Sequence, residues 1–209
     1  MKLILLGAPG AGKGTQGIII SDKYSIPIIS TGDMLRAAIR EGTELGLHAK
    51  SLIDKGALVP DAVIMAMLKE RLQKSDCSNG FILDGVPRTI NQAEALAEIT
   101  EIDKVLEIHV PDEFIIDRIT NRIVCPKCGA SYNAVSKRPR EEGICDRCGS
   151  KLEARADDNK ETLLERLSVY HKMTEPLKDF YADQGKLVVI DGTESVDDVT
   201  VKVLETLRG

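Results

Sequence analysis

Short, mostly apolar runs recur along the chain at residues 2–6, 27–29, 81–83, 105–109 and 187–190, and longer stretches with apolar residues at helical spacing lie between them. A run that is apolar on successive positions, rather than on alternate ones, suits a strand covered on both faces. Helical patterns begin near Lys13, Asp61, Asn91, Asp112 and Lys160, and a last one from Val196 closes the chain. Strands and helices in alternation predict an α/β fold, a five-stranded parallel sheet with helices packed on it. Two stretches break the alternation. Residues 30–60 hold two short helical patterns interrupted by Gly42 and Gly56 where the next strand is due, which predicts an inserted helical flap. Residues 123–158 are rich in Cys, Gly, Pro and charge with little apolar periodicity, so this second insert needs a staple of its own.

The first strand runs directly into Gly7-Ala8-Pro9-Gly10-Ala11-Gly12-Lys13-Gly14-Thr15. Glycines between an apolar strand and a helix let backbone N–H groups turn inward on an anion, and the helix adds the positive end of its dipole. The spacing from Gly7 to Lys13 is that of a phosphate-binding loop, and Lys13 is placed to reach the outer phosphates of a nucleotide. The position after the lysine, where such loops carry a magnesium-binding hydroxyl, is Gly14 here. The metal would then be held mainly by phosphates and water, or by Thr15.

Length and charge narrow the setting. At 209 residues and 43% hydrophobic the chain can bury one full core and carry a small insert, and a net charge of −5 without a long basic run disfavours a nucleic acid backbone as partner. No membrane span and no signal peptide are recognisable, so a cytoplasmic enzyme is expected, where paired Cys-x-x-Cys motifs favour metal over disulfide. The two pairs are Cys125/Cys128 and Cys145/Cys148, each followed by a glycine and separated by sixteen residues. Four thiolates fill a tetrahedral shell and leave no position for a catalytic water. The expected role is a structural clip, with zinc preferred and iron as the alternative. Cys77 stands apart as a structural thiol, and His48, His109 and His171 accompany no nucleophile and are expected to be structural.

The run Phe81-Ile82-Leu83 ends in Asp84, which places a carboxylate beside the glycine loop to hold magnesium or its waters. Arg88 and Gln92 follow at the same sheet edge, and Arg36, Arg118, Arg122, Arg155 and Arg166 complete a set of six arginines. Arg118 and Arg122 read as one helix face at i, i+4 just before the second insert, with Arg155 just after it, so they are expected to converge at its hinge. A GTPase-like switch would need an Asn-Lys-x-Asp segment, and Asn159-Lys160-Glu161-Thr162 lacks its final acid. A nucleic-acid-binding reading of the cysteine knuckles meets Glu141, Glu142, Asp146 and Glu153 among the basic residues of the insert.

Gly7 to Thr15, Ser30-Thr31-Gly32-Asp33-Met34-Leu35-Arg36, Asp84-Gly85-Val86-Pro87-Arg88-Thr89 and Arg155-Ala156-Asp157-Asp158 together resemble adenylate kinase of the long-lid type, over essentially the whole chain. The resemblance implies a P-loop kinase core at 1–29, 60–121 and 159–209, a nucleoside-monophosphate-binding flap at 30–59 and a metal-bearing lid at 122–158. It implies ATP contacts at Gly10, Ala11, Gly12, Lys13, Gly14, Thr15, Arg118 and Arg122, with Arg118 against the donor adenine. AMP contacts would come from Thr31, Arg36, Val59, Gly85, Arg88, Gln92, Arg155 and Arg166, with Leu35, Val59 and Ile64 walling the base. Lys13, Arg88, Arg122, Arg155, Arg166 and Asp84 would act on the transferring phosphate, and Asp157 and Asp158 would help to lock the closed lid. Relatives preferring pyrimidine monophosphates usually carry alanine at the Thr31 position, so threonine favours AMP. Most relatives have an aromatic where Val86 stands.

The reaction so implied is reversible transfer of the γ-phosphoryl group of ATP to AMP, giving two ADP, with Mg²⁺ on ATP and structural Zn²⁺ in the lid. Partners would be ATP, AMP and ADP, with no nucleic acid or membrane and a monomeric chain. The acceptor phosphate is already ionised at neutral pH, so no general base is needed, which agrees with a set dominated by guanidinium groups.

Overall fold

The structure is a computed structural model that describes residues 1–135, 137–155 and 157–208, and at Leu45 the backbone only. Five strands form one parallel sheet: β1 (Lys2–Leu6), β2 (Ile28–Ser30), β3 (Phe81–Asp84), β4 (Lys104–His109) and, after a separate antiparallel pair β5 (Arg122–Val124) and β6 (Ser131–Asn133), β7 (Leu187–Asp191). The order across the sheet is β2-β3-β1-β4-β7. The five-stranded parallel sheet expected from the pattern is therefore present. β1 is central, with Leu3 beside Ile82 on one flank and Lys104 on the other. Its side chains alternate between two cores, as a pleated strand with covered faces requires. Leu3 and Leu5 pack with Ile20, Ile115, Ile119, Leu163 and Val203, while Ile4 and Leu6 pack with Leu35, Leu68, Leu83, Leu96 and Leu177.

These contacts identify the covering helices. α1 (Lys13–Tyr24) and α6 (Asp112–Thr120) lie on the first face with α7 (Lys160–Val169) and α9 (Val196–Arg208). α4 (Asp61–Leu72), α5 (Ile90–Ile99) and α8 (Leu177–Ala182) lie on the second. The chain goes outward from β1 to β2, returns to β3 beside β1, and then crosses to β4 on the opposite flank. This reversal opens a crevice at the carboxyl ends of β1, β3 and β4, where ligands of doubly wound sheets bind. Between β2 and α4 stand two more helices, α2 (Thr31–Arg40) and α3 (Glu44–Ile53), which match the predicted helical flap. No described helix is long and apolar enough to cross a membrane.

Three local features differ from the sequence reading. β2 is shifted by one residue, because Pro27 supplies a carbonyl to Ile82 N–H (2.9 Å) and the ladder continues through Ser30 opposite Asp84. The helical pattern from Lys160 breaks into α7, a π-helical turn at Tyr170–Thr174 and α8, with Pro176 at the start of the last piece. Arg122 is not on a helix with Arg118. α6 ends at Thr120, Asn121 Nδ2 donates to Asp117 O (3.2 Å), one of the last carbonyls of the helix, and Arg122 then opens β5 opposite Asn133. The i, i+4 spacing looked helical because a helix does end just before it.

Within the first insert the crossing of α2 and α3 depends on Gly46, where an added Cβ would lie 2.2 Å from Ala38 O. Gly46→Ala must push the two helices apart, and a loss of about 1–3 kcal/mol of stability is expected from such overpacking. Thermal unfolding of the variant checks this, and a melting temperature equal to that of the unaltered chain contradicts it.

Candidate active site

The glycine loop leaves β1 at the sheet's central strand and ends as α1 begins. Gly7 has φ +139° and an added Cβ there would sit 2.5 Å from Ile108 O, so only glycine lets the loop pass β4 this closely. Gly12, at φ +107°, precedes α1 without any side-chain cap, which leaves the first N–H groups of the helix directed into the cleft. Lys13 Nζ folds back onto the carbonyls of Gly7 (2.8 Å) and Ala8 (2.9 Å). Burial lowers its pKa to about 8, opposed by Asp84 and reinforced by Arg88, Arg166 and Arg122.

A cleft of about 1020 Å³ is lined by Gly10, Ala11, Gly12, Lys13, Gly14 and Thr15, and by Asp84, Arg88, Arg118, Arg122, Arg155 and Arg166. A smaller cavity of about 60 Å³ adjoins it, lined by Thr31, Leu35, Val59, Ile64, Gly85 and Gln92. Arg36, Arg88 and Arg166 line both. The apolar wall expected from Leu35, Val59 and Ile64 therefore borders the smaller cavity. Val86 is buried in the second core, so an aliphatic side chain fills its place without exposing the loop.

The arginines are anchored by backbone carbonyls and by shared carboxylates. Arg88 Nε donates to Gly85 O (2.9 Å), and burial holds the guanidinium pKa below its ordinary value, partly offset by Asp84. Arg36 pairs with Asp33 (2.6 Å), which Arg155 approaches at 3.7 Å. Arg122 pairs with Asp158, and Arg166 reaches Asp157 at 3.1 Å and Asp158 at 3.6 Å. Burial brings the pKa of Arg155 down to about 10, with Arg36 and Arg122 adding repulsion. Arg166 is likewise brought to about 10 by burial, against the pull of Asp157. Arg155 Nε is buried without a hydrogen-bond partner, an unmade bond that an anion in the cleft would satisfy. Arg118 does not join this group. Its Nη2 donates to Gly192 O (2.9 Å) after β7, at another wall of the cleft. Ala156, within the Arg155–Asp158 motif, lies outside the described residues.

Asp84 ends β3 and lines the cleft, and its Oδ2 is 3.9 Å from the point a Cβ on Gly14 would occupy. The carboxylate thus stands beside the place left open by the missing hydroxyl residue, which suits a hard cation carried on phosphates. Thr31 Oγ1 donates to Gly85 O (3.0 Å). Gln92 is 2% exposed and its amide already has protein partners: Oε1 accepts from Arg88 N–H (2.7 Å) and Nε2 donates to Asp61 (2.6 Å). The sequence pattern marks Asp61 only as the start of a helix, since an acid opening a helix reads as an ordinary favourable charge at the dipole.

In the second insert the sulfurs of Cys125, Cys128, Cys145 and Cys148 all lie within 4.8 Å of one another. Cys125 Sγ is 3.4 Å from Cys148 Sγ and Cys128 Sγ is 3.6 Å from Cys145 Sγ. Four thiolates around a tetrahedral ion with bonds near 2.3 Å stand about 3.8 Å apart, so the set fits zinc, and a four-thiolate iron equally. Gly129 N–H donates to Cys125 O (3.0 Å) and Gly149 N–H to Cys145 O (2.8 Å), closing both knuckles with glycines at φ +74° and +70°. Cys125, Cys145, Tyr132 and Leu152 form a small separate core, against which Ile18 of α1 packs, and Arg147 pairs with Asp22 of α1 (2.5 Å). The expected structural histidine role holds for His171, which bridges Asp112 (2.9 Å) and Glu175 (2.8 Å) away from the cleft.

Comparison with known proteins agrees with this geometry. The family profile described as adenylate kinase matches residues 5–186. An adenylate kinase of Acetivibrio thermocellus is 54% identical over 214 residues, covering 100% of this chain and 99% of the relative. Adenylate kinases of Caldicellulosiruptor bescii (53% over 212 residues) and Methanosarcina barkeri (53% over 213) cover 99% and 100% of this chain and 99% of their own lengths. Sheet order, glycine loop, arginine-lined cleft and full-length similarity converge, and the chain belongs to the adenylate kinase family of phosphoryl-transferring enzymes.

Proposed function

We propose that the chain transfers the γ-phosphoryl group of ATP to AMP, reversibly and with Mg²⁺ on ATP, giving two ADP. The observation that carries this reading is the pair of adjoining cavities with Arg36, Arg88 and Arg166 on their shared boundary. The larger cavity suits a nucleoside triphosphate on the glycine loop. The smaller, which in the ligand-free chain has room for only a few waters, would have to widen with the flap to take a purine monophosphate among Thr31, Leu35, Val59, Ile64 and Gln92. Phosphates from both would meet at the boundary, where guanidiniums neutralise charge spread over the equatorial oxygens of the transferring group.

In this reading Gly10 to Thr15 hold the donor phosphates, Lys13 leaves its two carbonyls for them, and Arg118 borders the donor base. Asp84 would hold Mg²⁺ or its waters, and the ion would supply charge neutralisation and orientation of the phosphates. Arg36, Arg88 and Gly85 would face the acceptor phosphate, with Arg155 and Arg166 reaching it from the lid side. Asp157 and Asp158 occupy Arg166 and Arg122 in the ligand-free chain, so incoming phosphates would compete for those guanidiniums and draw the lid over the core. Residues 30–59 and 122–158 would close as units over 1–29, 60–121 and 159–209 and exclude water, which suppresses ATP hydrolysis. The four cysteines would carry structural Zn²⁺ that folds the lid. The decisive assay offers MgATP with AMP, CMP, UMP and GMP in turn and analyses the diphosphates formed; failure to form ADP from AMP overturns the reading.

Arg88→Ala is expected to lower phosphoryl transfer about 10³- to 10⁵-fold, the range of transition-state arginines, and a loss below about tenfold contradicts the role. Cys145→Ser is expected to reduce bound zinc and the melting temperature while turnover at low temperature is largely kept, as metal analysis, thermal melts and ADP formation will register. Lys13 supplies the pH dependence. With its free pKa near 8, bound phosphates favour the protonated form, so MgATP affinity should be level below pH 8 and fall above it. Binding near pH 8.5 should take up protons, measurable by titration calorimetry in buffers of different ionisation enthalpy, and absence of uptake contradicts the assignment.

A further inference from the structure

Gln92 sits at the start of α5 inside a closed ring of hydrogen bonds. Thr89 Oγ1 accepts from Gln92 N–H (3.1 Å) and donates to Asp61 Oδ2 (2.9 Å). Asp61 Oδ1 accepts from Gln92 Nε2 (2.6 Å), and Gln92 Oε1 accepts from Arg88 N–H (2.7 Å). The two partners of the amide fix its orientation by their own chemistry. A backbone N–H can only donate and an ionised carboxylate can only accept, so the oxygen must face Arg88 and the nitrogen Asp61. A flip would set NH₂ against N–H and C=O against a carboxylate, two repulsions in a buried site.

One lone pair of Oε1 and one hydrogen of Nε2 are left over, on a side chain that lines the smaller cavity. Adenine presents an N6 donor and an N1 acceptor on its Watson–Crick edge, whereas a 6-oxopurine presents an O6 acceptor and an N1–H donor. An unrestrained glutamine could serve either edge by turning over. We propose that Asp61 is a specificity-determining residue that acts through Gln92, holding the amide, together with Arg88 N–H, in the one orientation that matches adenine and rejects a 6-oxopurine monophosphate. The inference rests on the proposed use of the smaller cavity by AMP. Asp61 is the first residue of α4, immediately after the inserted flap, so the same carboxylate ties the flap's exit to the α5 start that carries the base-facing amide.

The test measures kcat/KM for AMP and for IMP, at saturating MgATP, in the unaltered chain and in Asp61→Asn and Asp61→Ala. The AMP-to-IMP ratio does not depend on how much of a variant is folded. In Asp61→Asn, Oδ1 still accepts from Gln92 Nε2, and most of the preference should remain. In Asp61→Ala the ratio should fall by roughly tenfold or more, mainly through a higher KM for AMP and relatively better use of IMP, with KM for MgATP little changed. Equal losses on both nucleotides at an unaltered ratio, or loss of all turnover in both variants, would assign Asp61 a structural role and overturn the proposal. A chain that fails to convert AMP before any substitution would instead overturn the functional reading beneath it.

Discussion

Crowding of positive charge into a buried cleft is the constraint around which the rest of the molecule is arranged. Lys13, Arg88, Arg155 and Arg166 all lose solvation, and each is pushed toward its neutral form by burial before any neighbour is considered. Such a cluster persists in a folded chain only if something offsets the mutual repulsion. The backbone does part of this, through the carbonyls of Gly7 and Ala8 at Lys13 and of Gly85 at Arg88. Asp33, Asp84, Asp157 and Asp158 do the rest. Asp33, Asp157 and Asp158 pair with guanidiniums at the cleft and at the hinge of the second insert, so the cationic cluster is partly neutralised in the ligand-free chain.

The sheet supplies the platform for that charge. Because β1 is central and the chain crosses from one flank to the other around it, the loops after β1, β3 and β4 open on one edge. The glycine loop, Asp84 and the segment carrying Arg88 thereby meet although they are far apart in sequence. Helix α1 projects its unpaired N–H groups at the same point, and the lid rests on the outer turns of α1 through Ile18 and the Asp22–Arg147 pair. The four-cysteine knuckles can hold this lid together without a large apolar core, which its composition could not have provided.

Much of this was legible in the order of residues. Gly7 to Lys13 have few structural uses other than an anion cradle after a strand, and the paired cysteines have few uses in a short polar insert other than a metal. Strand positions were readable because buried parallel strands are apolar on most successive residues, Glu107 in β4 being a buried exception. The misread elements lie at element boundaries, which depend on backbone hydrogen bonds that composition does not reveal. α6 ends at Thr120 and Arg122 begins β5, and the π turn at Tyr170–Thr174 divides one helical pattern into two helices.

Sequence alone determined the α/β class, the phosphate loop, the thiolate set and the roster of arginines, because these depend on residue type at short spacing. Tertiary structure alone decided which guanidiniums share a boundary, that Arg118 turns to Gly192 instead of joining them, and that Asp61 and Arg88 grip the Gln92 amide from two sides. Those outcomes depend on distances between segments tens of residues apart, which arise only when the sheet brings its strand ends to one edge and burial forces every polar atom there to find a partner.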